Sequence, residues 1–313
     1  MTPPVARSEE ARRTAGISAV ALTTLVWGMA PLVLKQVDMP VLTFAAYRLW
    51  AGVLIFAVVF AVTGRRLTLA TLRTCALGGV VFTADVACSF LAFTLTSAAD
   101  ATIIGALAPV FIIIGAGRWF GEHVGRRDLV FVGISLAGVA LVAIGSAGTP
   151  AFNAWGDLFA FASVFTWTAY WLVSKRARAS VGAFEYIASV VLVAALLMTV
   201  LALVSGEGLS PPSEAMDWLW IWAVALGAGT IGHVLLAWSH RHVEAWLCSL
   251  ITQCMPIVCS VAAWVLLGEA LTPLTIAGGL VVLAATAAIL MRTRARASAD
   301  AFEVAPETPA PAR

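Results

Sequence analysis

Charge is scarce in this chain. Asp, Glu, Lys and Arg make up 12% of its 313 residues, 61% are hydrophobic, and the mean hydropathy is +0.95. A soluble domain is nearer a quarter charged, so that class is excluded. The five cysteines, at 75, 88, 248, 254 and 259, all fall inside apolar runs and form no C-x-x-C pair. They offer no disulfide or metal framework. No G-x(4)-G-K-[ST] loop occurs, so the chain has no Walker motif for ATP, and no cofactor is expected. The net charge of +2 gives no footing for nucleic acid. The first apolar run lacks an A-x-A site and continues through Pro31 to Lys35. It is too long for a signal-peptide core and reads as a retained helix.

What is there is a series of ten apolar runs: 16–35, 41–62, 74–95, 99–120, 128–146, 156–174, 183–205, 218–239, 244–267 and 272–291. Runs of about 20 residues cross a bilayer core as helix. Barrel strands would give alternating segments of about ten residues. The expected fold class is therefore all-α, an integral membrane protein with ten transmembrane helices. Sixteen of the nineteen Lys and Arg residues lie in alternate hydrophilic segments, whereas the other loops carry Lys35 and the acids Asp38, Asp100, Glu207, Glu214 and Asp217. By the positive-inside rule both termini are cytoplasmic. Residues 1–15 read as an N-terminal tail. The Ala/Pro-rich end, 297–313, reads as a disordered tail.

One pattern occurs twice. Pro109 leads through an apolar stretch to Gly121-Glu122, and Pro256 leads through another to Gly268-Glu269, at an offset of 147 residues. A second match pairs WGMAPLVLK, residues 27–35, with WTAYWLVSK, residues 167–175, at an offset of 140. Duplication of a five-span unit follows, as residues 16–146 and 156–291. Five is odd, so the second unit enters the membrane from the opposite side. Secondary carriers build substrate sites between such inverted halves.

Ten spans, a Trp-Gly within the first, Arg48 in the second, and P-x(11)-G-E ending the fourth and ninth resemble the drug/metabolite transporter superfamily, EamA type. The resemblance covers residues 15–292. It implies a bacterial inner-membrane secondary carrier, commonly an exporter of amino acids, metabolites or drugs. It also implies a basket of helices one to four and six to nine around a central cavity, with helices five and ten peripheral. One departure stands out: Ala188 occupies the second-half position equivalent to Arg48.

Ionisable groups within a bilayer are costly and mark functional sites. Asp85, in the third span, needs a partner, water or a proton, and is the candidate for proton coupling. Otherwise it bonds a Ser or Thr hydroxyl. His233, in the eighth span, stands beside Gly232, the residue equivalent to Asp85. Otherwise it bonds a backbone carbonyl. Arg48 suits a substrate carboxylate, with a structural anchor as the alternative. Trp27, Trp167, Tyr170, Trp171 and Trp238 form a candidate aromatic wall, and Gln253 a polar point in the ninth span. Trp218, Trp220 and Trp222 read as interfacial anchors. Pro31, Pro109 and Pro256 mark either kinks or helix starts. Arg118 and Glu122, spaced i,i+4, are expected to pair.

Three motifs are set aside. Gly227-Ala-Gly229-Thr-Ile-Gly232 fits G-x-G-x-x-G but follows no strand, and close helix packing explains it better. His240-Arg-His242 has no third ligand and reads as a solvated turn. His123-(x4)-Asp128 has acyltransferase spacing but overlaps the Gly-Glu repeat. A membrane-embedded enzyme and a passive channel thus stand behind the leading reading. That reading is a secondary exporter of small organic solutes working by alternating access, with the lipid bilayer as its surroundings. Substrate, direction, coupling ion and oligomeric state do not follow from the sequence.

Overall fold

The structure, a computed structural model, describes residues 4–34, 36–147, 153–268 and 270–303. In chain order the helices are α1 (Pro4–Leu34), α2 (Val41–Thr63), α3 (Leu69–Leu95), α4 (Ala98–Gly105), α5 (Ala108–Phe120), α6 (Arg126–Ala147), α7 (Ala154–Ala177), α8 (Ala183–Val204) and α9 (Ala215–Val224). A π-helical segment π1 (Ala225–Gly232) continues α9 into α10 (His233–Ser239), followed by α11 (Ala245–Thr252), α12 (Met255–Leu267) and α13 (Pro273–Glu303). Among the described residues there is no strand. In hydrocarbon a helix satisfies its own backbone groups. Its outer face can therefore be apolar, as on α2, where Leu54, Val58 and Val62 are exposed.

Nine segments among the described residues are long and apolar enough to cross a membrane. The 24-residue α7 is not among them. At about 1.5 Å per residue it has the length, but Asp157, Trp155, Trp167, Tyr170 and Trp171 lower its hydropathy. The helix packs along α3 and α5, and its second half turns Tyr170 and Trp171 into the interior of the bundle.

The fourth and ninth apolar runs are each broken at equivalent places. The halves α4/α5 part at Ala106-Leu107, and α11/α12 at Gln253-Cys254. Pro109 and Pro256 fall in the first turn of the helix after the break. A proline there forfeits only an N–H that has no intrahelical partner. Each long segment then stops at a glycine in the left-handed region, Gly121 at φ 66° and Gly268 at φ 70°. That conformation is why the Gly of Gly-Glu recurs. Glu269 lies outside the described residues, as does Lys35.

At the chain ends helix extends beyond expectation. α1 begins at Pro4 rather than near residue 16, because SEEARR is rich in helix formers. α13 runs to Glu303, so residues 297–303 of the expected disordered tail are helical, and 304–313 lie outside the described residues. α6 and α13 pack chiefly on each other. Their ends are joined by Arg292 Nε donating to Asp128 Oδ1 at 3.0 Å, with Asp128 fully buried.

Candidate functional site

The π1 segment positions one side of the site. In a π-helix, residues five apart come into register. Thr230 Oγ1 accordingly donates to Ala225 O at 2.8 Å, and His233 Nδ1 lies 2.8 Å from Ala228 O. A carbonyl only accepts, so the network assigns the proton to Nδ1. Nε2 is buried without a hydrogen-bond partner among the described residues. The same Ala228 carbonyl accepts Trp27 Nε1 at 2.9 Å. Next to Trp27, Gly28 allows α1 to meet α12. A Cβ there would stand 2.6 Å from Val258. The Trp-Gly pair of the first span thus seats α1 between π1 and α12.

Around His233 an aromatic cluster closes. Its ring lies 4.8 Å from Trp27, 5.0 Å from Phe82 and 6.1 Å from Tyr170. Trp167 stacks on Tyr170 at 5.5 Å and meets Trp27 at the same separation. Trp27 and Trp167 are the repeat-equivalent tryptophans, facing each other. A second equivalent pair also meets: Gln253 Nε2 donates to Ala106 O, 147 residues away, at 3.4 Å. This contact joins the two helix breaks. Beside it lies a cavity of about 180 Å³, bordered by Thr102, Trp167, Ser249, Gln253 and the two prolines Pro109 and Pro256. Pro109 and Pro256 are therefore helix starts that also border a cavity, whereas Pro31 lies inside α1.

Asp85 is 7% exposed and accepts a hydrogen bond from Ser163 Oγ of α7 at 3.1 Å. Arg48 is 8% exposed. Its guanidinium lies 5.3 Å from the centre of the Phe90 ring, and its charge acts on both Asp85 and His233. Among the described residues Arg48 makes no hydrogen bond and no ion pair within 4 Å. Asp85 and His233 thus have the hydroxyl and carbonyl partners expected of structural groups. Arg48 has only the Phe90 ring, and an arginine without a hydrogen bond or ion pair in a buried place is costly.

Trp238 does not join this cluster. Its ring lies 4.7 Å from His242, in the turn after α10. His240 is buried rather than solvated, with Nδ1 3.1 Å from Ser174 Oγ and its ring 5.0 Å from Trp171. Burial first, and then the Lys175 and Arg178 charges, hold its pKa well below the usual histidine value. Glu122 does not pair with Arg118. Lys175 Nζ of α7 reaches Glu122 Oε1 at 2.7 Å. The same carboxylate accepts the Ala245 and Trp246 N–H groups, at 3.2 and 3.4 Å. It therefore caps α11. In the set-aside acyltransferase motif, Asp128 is held by Arg292 while His123 is exposed.

The sequence reading missed Phe82, Ser163 and Phe90, ordinary residues within apolar runs that carry no signal alone. The π turn did have one, the glycines at 227, 229 and 232. Their spacing was read as packing, and Gly232 does lie against Trp27.

The long apolar helices, two of the apolar runs being broken at sequence-equivalent points, are those of a multi-pass membrane protein. The sequence model of the EamA-like transporter family matches the chain twice, over residues 14–144 and 154–291. The chain belongs to this family, and with it to the drug/metabolite transporter superfamily, whose members generally move small solutes across membranes. No curated protein matches the sequence. A solved crystal structure 20% identical shares the fold, with a TM-score of 0.75 over 88% of this chain and 97% of its own.

Proposed function

We propose that this protein is a proton-linked exporter of small organic solutes, working by alternating access across a bacterial inner membrane. The observation that carries the reading is Arg48. It is a buried cation with no hydrogen bond or ion pair among the described residues, resting on the Phe90 ring and within electrostatic reach of Asp85. A solute with a carboxylate or similar acceptor completes it. Trp27, Phe82, Trp167 and Tyr170 suit the solute's apolar part, and Gln253 lies where the two helix breaks meet. Asp85 is the group that exchanges a proton as the cavity changes sides, and His233 Nε2 offers it or the solute a hydrogen-bond acceptor. In this reading exposed His123 and Arg292-bound Asp128 take no part.

In this reading α7 is the tenth span, and the repeats are five-helix units of opposite orientation, residues 16–146 and 156–291. The facing pairs Trp27/Trp167 and Ala106/Gln253 support a two-fold axis between them. Both termini lie in the cytoplasm. Single cysteines at the exposed positions Arg66 and Arg126 should then react with impermeant reagent from the cytoplasmic side, and one at Ser210 from the other. Reaction of all three from one side would sink the inverted arrangement.

The direct test is a solute screen on proteoliposomes with and without an imposed pH gradient. Saturable flux that follows the gradient is expected for a carboxylate-bearing solute. Arg48→Gln should raise its KM at least tenfold, since a charge-assisted, bidentate contact is worth about 1.5–3 kcal/mol. Flux that rises without saturating would instead identify a passive channel.

A further inference from the structure

A second cleft, of about 400 Å³, lies away from the solute site. It is bordered by Arg118, Trp119 and Phe120 at the end of α5 and by Arg176 at the end of α7. Its origin is local. α5 and α7 run side by side and touch where Gly115 leaves no room for a Cβ against Leu172. Arg118 and Arg176 stand three and four residues beyond that contact, about one turn on each helix. They are thereby brought to one opening.

Neither arginine makes an ion pair or hydrogen bond with a described residue. The carboxylate nearest in sequence, Glu122, is taken by Lys175. Lys175 Nζ lies 5.7 Å from the Phe120 ring, its charge balanced by Glu122, so the charge at the opening comes from the two arginines. Some carbonyls near these helix ends are already engaged: Ala116 O and Gly117 O accept from Glu122 and Gly121, and Ser174 O and Ala177 O accept from Arg178 and Val181.

The surroundings are those of a lipid. Trp119 is 53% exposed, at the end of an apolar span, where tryptophan marks the headgroup level. Further into the span the same two helices expose Ile114 and Phe165. Two arginines without partners among the described residues, above exposed apolar side chains, match a charged headgroup above its acyl chains.

We propose that this cleft binds the phosphate headgroup of an anionic phospholipid. The proposal needs only that the protein spans a membrane, so it stands or falls apart from the transport reading.

The test uses the full chain in detergent, with brominated phosphatidylglycerol and brominated phosphatidylcholine as quenchers of tryptophan emission. Quenching that disappears in Trp119→Phe isolates the signal of this cleft. Brominated phosphatidylglycerol is expected to quench that signal at lower concentration. Arg118→Gln with Arg176→Gln should remove the preference, a change on the order of thirtyfold for two basic contacts at a membrane surface. Should that double variant fail to fold, Arg118→Lys with Arg176→Lys keeps the charge and should keep part of the preference. Equal quenching by the two lipids, or a preference unchanged in the double variant, would overturn the proposal. So would displacement of the brominated lipid by millimolar inorganic phosphate or glycerol phosphate, which would identify the cleft as a site for soluble anions.

Discussion

Asp85→Asn is expected to leave the protein folded and in the membrane but to abolish flux driven by a pH gradient. The substitution is nearly isosteric, and the amide oxygen still accepts from Ser163 Oγ, the partner that holds the carboxylate at 3.1 Å. The fold therefore keeps its contact. What is lost is the exchangeable proton and, with it, the negative charge that acts on Arg48. With Asn at this place, the Arg48 charge is balanced only while a carboxylate-bearing solute is bound. The variant should still bind a carboxylate-bearing solute, and counterflow, exchange of solute for solute without a gradient, should survive. Loss of net driven flux with retained counterflow separates coupling from binding. His233→Ala should give a weaker defect, because its Nδ1–H is committed to Ala228 O and only Nε2 faces outward from that bond. Gradient-driven flux at the normal rate in a well-expressed Asp85→Asn protein would leave Asp85 as a structural polar group held by Ser163.

Much of this architecture was legible because hydrophobicity in a membrane chain is nearly binary. Apolar runs gave the helices, and the spacing of Pro109 and Pro256 gave the repeat. The same spacing marks two helix breaks, which hydropathy alone does not reveal, since Ala106-Leu107 is as apolar as its neighbours and the single polar Gln253 does not interrupt the ninth run. α7 shows the opposite case. Its aromatic and polar content, part of which serves the interior, is what keeps it out of a hydropathy count. The site was legible only residue by residue. Buried charge pointed to Arg48, Asp85 and His233 individually, but which hydroxyl meets Asp85, and that Arg48 meets none, depend on helix rotation. Rotation is set by close packing at glycines and by the π turn, and neither leaves a periodic trace. Trp238 shows the limit: its type suited the aromatic wall, yet its place near the end of α10 put it beside His242.

Glu122→Gln is expected to unfasten the end of the carrier that bears the basic loops. The carboxylate of Glu122 joins three separate pieces of chain. It follows the left-handed Gly121 that ends α5, it pairs with Lys175 at the end of α7, and it caps the first N–H groups of α11. Lys175 is further tied to Val243 O at 3.0 Å. Both halves of the sequence meet here, and α11 is the short helix that leads to the break at Gln253. At the other end of the bundle a different acid does similar work. Glu207 accepts from the Leu42 and Thr43 N–H groups at the start of α2, at 2.8 and 3.0 Å. Replacing Glu122 by Gln removes the ion pair and weakens the cap. Hydrogen bonds to charged groups contribute about 1.5–3 kcal/mol, so the arrangement in which Glu122 joins these three pieces should lose roughly thirtyfold in population relative to one in which they part. A cysteine at Thr252, beside the cavity, should then react faster with impermeant reagent applied to inside-out vesicles, in a background without the native cysteines. The charge exchange Glu122→Lys with Lys175→Glu rebuilds the ion pair but sets a cation against the positive end of α11. Partial recovery is therefore expected. Full recovery would mean that the pair alone holds the end shut. An unchanged labelling rate in Glu122→Gln would show that the contact does not gate access at all, and that the Gly-Glu of the repeat serves packing.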